Sequence, residues 1–112
     1  MNFYDKIHTL VKDLKDTPEY VNYMTIKEKV KADAELSERI KNFKERQRVE
    51  QLKYINGNQM NDETKNELQQ QYSLLIQSPL AVEFFQSEIK LDVLLADMQK
   101  ILAEGLKDVV EF

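Results

Sequence analysis

Only two prolines and two glycines punctuate the 112 residues of this chain, so it has few places to turn. Both prolines follow a hydroxyl residue, as Thr17-Pro18 and Ser78-Pro79. Proline lacks the amide hydrogen that a first helical position leaves unpaired, and the threonine or serine before it can cap the amides that follow, so each dipeptide reads as a helix start. Lys, Leu, Glu and Gln are the commonest residues of the chain, and they lose little side-chain freedom in a helix. The expected fold class is all-α, with five helices in one domain over residues 1–112.

The longest helix is expected after Ser78. At about 100° per residue, Phe84, Leu91, Leu94, Leu95, Met98, Ile101, Leu102, Leu106 and Val109 share a broad face, read here as the domain's core. Val82, Phe85, Ile89 and Val93 form a second stripe on roughly the opposite side. Two apolar sides need two partners. Either the helix is central in its own bundle, or the second stripe packs on a second copy of the chain. A small chain has limited cover for a helix of up to about 40 Å, which favours a homodimer through Val82, Phe85, Ile89 and Val93.

Upstream, Asn2 with Asp5 three residues on forms a capping start for a first helix striped by Phe3, Ile7, Leu10, Val11 and Leu14. A second, aromatic-rich helix begins near Pro18 and carries Tyr20, Tyr23, Met24, Ile26 and Val30. Asp33 can cap a third, so a short break at Ala32-Asp33 is expected, although nothing there forbids a continuous helix. Leu36, Ile40 and Phe43 open the third helix with clean spacing, and Val49, Leu52 and Ile55 continue it on a shifted stripe after the polar run 44–48. That shift predicts a helix leaving the core. Asn56-Gly57-Asn58 should stop it, and Asn61 or Asp62 should cap a fourth bearing Leu68, Tyr72, Leu75 and Ile76.

The chemistry-bearing residues are sparse. With no cysteine there is no disulfide, thiolate metal site or cysteine nucleophile. His8, the lone histidine, has Asp5 on its helix face but no serine or cysteine partner in the pattern, and reads as a structural or surface residue. The Glu-x-x-His repeats of di-iron bundles are absent. Carboxylates sit beside lysines at solvated-face spacings, with Glu88 alone near the edge of an apolar face and read there as a rim position. Gly57 and Gly105 stand singly, which excludes a glycine-rich phosphate loop. No catalytic, cofactor-binding or metal residue is expected, and the protein is read as not an enzyme.

A net charge of −4 argues against a protein that coats nucleic acid by positive potential. A local basic face remains, where Lys41, Lys44 and Arg48 share one side of the third helix, diluted by Glu38, Glu45 and Glu50. No apolar run is long enough to span a bilayer, and the opening Met1-Asn2-Phe3-Tyr4-Asp5 lacks the basic region and apolar run of a secretion signal. A cytoplasmic protein without a membrane partner is the expectation. Its leading function is a protein–protein interaction module, with a nucleic-acid-associated factor using residues 39–48 as the alternative, and a binder of a small apolar ligand between helices behind both.

Asn2-Phe3-Tyr4-Asp5, Ala32-Asp33-Ala34-Glu35 leading into Ile40 and Phe43, the Gly57 to Met60 turn, Glu83-Phe84-Phe85, Leu94-Leu95-Ala96-Asp97 and Lys100-Ile101 together resemble the YlbF/YmcA/YheA family of small bacterial helical proteins, the YheA-like branch most closely. The resemblance covers nearly the whole chain. It implies a spectrin-like bundle of three longer helices with two shorter ones, often dimeric, and a non-enzymatic regulatory role. Relatives of that kind act in competence, sporulation, biofilm formation and ribonuclease-dependent RNA processing. Some carry iron–sulfur clusters on cysteines, a cofactor this cysteine-free chain cannot bind in that way. The likeness rests on packing and capping patterns, so it transfers no functional residue.

Overall fold

In the computed structural model, residues 2–57, 59 and 61–112 are described, with Val110 described by its backbone alone. The fold is all-α. Its elements are α1 (Phe3–Lys15), α2 (Pro18–Lys31), α3 (Ala34–Ile55), α4 (Asp62–Leu75), α5 (Pro79–Gly105) and the short α6 (Lys107–Val110).

The helix starts follow the capping chemistry. Asn2 Oδ1 accepts the Asp5 amide at 2.9 Å, Asp33 Oδ1 that of Leu36 at 3.1 Å and Asn61 Oδ1 that of Thr64 at 2.7 Å. At the two proline starts, Thr17 Oγ1 accepts from the Tyr20 amide and Ser78 Oγ from the Ala81 amide, both at 3.3 Å. Each cap satisfies one of the amides that a helix leaves unpaired at its beginning. Asp33 thus separates α2 from α3, as the break at Ala32-Asp33 requires. At the end of α3, Gly57 takes φ +90, a left-handed conformation that a side chain resists. The expected turn continues through Asn58 and Met60, which lie outside the described residues.

The chain divides into two compact units, one of residues 27–84 and one of residues 1–26 with 85–112. The division falls within α2 and within α5. In the 27–84 unit, α3 and α4 pack against each other as an antiparallel hairpin. The Phe43 and Tyr72 rings lie 5.9 Å apart, and three residues further along α3 Arg46 pairs with Glu67, five residues back along α4. Val30, Leu36, Ile40, Phe43, Leu75, Ala81 and Phe84 are buried here. Beyond Phe43, Val49, Leu52 and Ile55 are exposed, so α3 does leave the core where its stripe shifts.

Among the described residues of the other unit, Ile26, Phe85 and Ser87 are buried and α1 buries none. This corrects the expected core face of α5. Phe84 is buried and Leu91, Leu94, Leu95 and Met98 are half-buried, but Ile101, Leu102, Leu106 and Val109 are exposed. The reason is one of length. Residues 85–105 of α5 run for about 30 Å, whereas α1 has 13 residues and α2 contributes only residues 18–26 to this unit. The rod also stops earlier than the stripe suggests, since α5 ends at Gly105 and Leu106 precedes the separate α6. Among the described residues, no helix is long and apolar enough to cross a membrane.

Candidate functional site

Large apolar side chains are exposed on α1, on the second half of α3 and along α5, and α1 and α5 frame an apolar groove between them. On α1, Phe3, Tyr4, Ile7, Leu10 and Val11 are all exposed. The helix is strongly amphipathic in sequence, with Lys6, Lys12 and Lys15 off its apolar stripe. An amphipathic helix forms where its stripe finds cover; here much of that stripe remains open.

Between α1 and the second half of α5 lies an apolar groove of about 450 Å³. Leu10 and Leu14 line it from α1, with Thr17 just beyond, and Leu94, Met98, Ile101 and Leu102 line it from α5. Asp13 and Asp97 also line it, and both are exposed. Among the described residues these are its only ionised lining groups.

The four residues of the second α5 stripe are placed unequally. Phe85 is 8% exposed and Val82 half-buried, whereas Ile89 and Val93 are 61% and 55% exposed. Nearby, Tyr23 of α2 approaches Glu88 and Asp92. Burial, and then the charges of Glu88 and Asp92, push its hydroxyl above the ordinary tyrosine value, because each disfavours the phenolate. Glu88 is half-buried, and His8 is exposed on α1.

Lys41, Lys44 and Arg48 line one depression of about 490 Å³ on α3, together with Glu45, Gln47 and Gln51. Arg48 is engaged there: its Nη2 and Nε donate to the two carboxylate oxygens of Glu45 at 2.7 and 3.3 Å. That contact holds the Glu45 carboxyl below its usual range, first through the hydrogen bond and then through charge. Arg46, on another side of the helix, is committed to Glu67. Among the described residues, no three histidine or carboxylate side chains converge as metal ligands would.

The α1–α5 groove is the feature that sequence reasoning missed. Its signal was the mismatch between a 13-residue first helix and the much longer stripe it had to cover. An all-helical chain with apolar helix faces left open belongs to the class of small all-α bundle proteins. A family model described as control of competence regulator ComK, YlbF/YmcA, matches residues 3–107, and the chain belongs to this family. It is also similar to UPF0342 proteins: 33% identical over 109 residues to one from Caldicellulosiruptor saccharolyticus, covering 96% of this chain and 91% of that one. Another, from Alkalihalophilus pseudofirmus, is 31% identical over 108 residues, covering 96% and 92%. A third, from Symbiobacterium thermophilum, is 31% identical over 103 residues and covers 92% of each chain.

Proposed function

We propose that the protein is a non-enzymatic interaction module of the cytoplasm, a single domain that forms a homodimer and presents helical surface to a further regulatory protein. The observation that carries this reading is the set of large apolar side chains left exposed on α1 and the second half of α5. Covering such surface gains roughly 25 cal/mol per Å², and contiguous patches of it mark association surfaces. The regulatory sense comes from the family, whose model is described by control of the competence regulator ComK; that it works through protein contact is inferred from the open helix faces.

In the proposed dimer, Ile89 and Val93 meet a second copy while Val82 and Phe85, on the same stripe, anchor the helix from within. Sedimentation equilibrium tests it. Ile89→Glu with Val93→Glu should give a folded monomer from a dimeric parent, since both positions are already open to water. A parent that is monomeric at tens of micromolar would end the dimer proposal.

A second reading, contact with nucleic acid, is favoured by one observation, the shared depression of Lys41, Lys44 and Arg48. The Glu45–Arg48 pair weakens it by cancelling charge where phosphate would bind. Charge reversal at the three positions that left low-salt RNA and DNA binding unchanged would remove it.

A further inference from the structure

We propose that the groove between α1 and α5 receives an amphipathic helix from a partner protein, one whose apolar stripe is flanked by lysine or arginine. This rests on the interaction-module reading and names the chemistry of the partner. Four groove residues, Leu94, Met98, Ile101 and Leu102, run over about 12 Å of α5, a little more than two helical turns. That length suits anchors at i, i+3, i+4 and i+7 of an incoming helix. Apart from Thr17 and the two aspartates the lining is apolar, so charge decides the occupant. Asp13 and Asp97 would repel a fatty acid or an acidic helix and attract cationic flanks. The groove also lies on roughly the opposite side of α5 from Ile89 and Val93, by helical spacing, so a dimer through those residues leaves it open.

The test uses the full chain and two fluorescein-labelled peptides of about 16 residues, long enough to hold a helix. Both carry leucines at i, i+3, i+4 and i+7; one is flanked by lysines and the other by glutamates. Fluorescence anisotropy at low salt should show the lysine peptide binding about tenfold more tightly, the scale of two exposed ion pairs. Asp13→Lys with Asp97→Lys should reverse the order. Ile101→Glu should abolish binding with an unchanged far-UV circular dichroism spectrum, because that residue is 69% exposed and its replacement spares the fold. Absent or equal binding of the two peptides overturns the proposal. So does lysine-peptide binding that appears only when dilution dissociates an oligomer, since the occupant would then be a second copy. If the peptides fail while the Ile89→Glu and Val93→Glu variant still dissociates a dimer, the groove assignment falls and the module reading survives.

Discussion

The 27–84 unit and the 1–26 with 85–112 unit are built from the same kind of amphipathic helix, yet they end differently. In the first, α3 and α4 pack against each other and Leu36, Ile40, Phe43 and Leu75 are buried, with Val49, Leu52 and Ile55 left open only where α3 leaves the core. In the second, the short α1 leaves its own stripe and the end of α5 open. The difference teaches that apolar periodicity specifies which face seeks cover, whereas the lengths of the neighbouring helices decide how much it finds.

The largest effects should fall on the buried residues of the 27–84 unit. Phe43→Ala is expected to cost about 3 to 5 kcal/mol of stability in urea unfolding and Leu75→Ala about 2 to 5, through lost burial and residual cavity. Ile101→Ala, at an open position, should stay within about 0.5 kcal/mol in dilute protein. An equal cost at Ile101 would break the comparison. Because the division between units falls within α2 and α5, these losses should register as one transition by both circular dichroism and tyrosine fluorescence. Two separated transitions would refute the single-domain proposal.

Smaller effects sharpen the contrast. Asp33→Ala removes the cap that starts α3 and should cost about 1 kcal/mol. Gln71→Leu should be neutral or stabilising by about 1 kcal/mol, since the buried Gln71 Oε1 has no hydrogen-bond partner among the described residues. A clear loss in the Gln71 variant would show that the oxygen is satisfied after all.

The smallest expected effect lies in the open unit and depends on pH. Tyr23 has its folded pKa raised, so its contribution to stability is fully present below the ordinary value of about 10 and is lost as pH rises through the folded value. Melting temperature should therefore fall between the ordinary value and the folded one, and Tyr23→Phe should flatten the fall. An identical alkaline decline in the variant would place its cause elsewhere.

Much of the local structure was legible because its chemistry is local. Asn2, Thr17, Asp33, Asn61 and Ser78 each accept an amide three residues ahead, within reach of a single turn. The exit of α3 from the core was equally readable, since the shift from Phe43 to Val49 is a matter of helical phase. The Arg46–Glu67 pair and the groove were not readable, because they join residues from different helices whose register no short window contains. The basic face was half legible. Spacing puts Lys41, Lys44 and Arg48 together, but the commitment of Arg48 to Glu45 depends on side-chain geometry.

What the sequence by itself determined is the helical class, the helix starts and the faces that must be apolar, because capping and periodicity act within a few residues. Only the tertiary structure decided which apolar faces are closed. Phe84 and Phe85 are buried and Ile89, Val93, Ile101 and Leu102 are open along one continuous helix. Burial is a property of what lies opposite, and in this unit the cover supplied by α1 is 13 residues long.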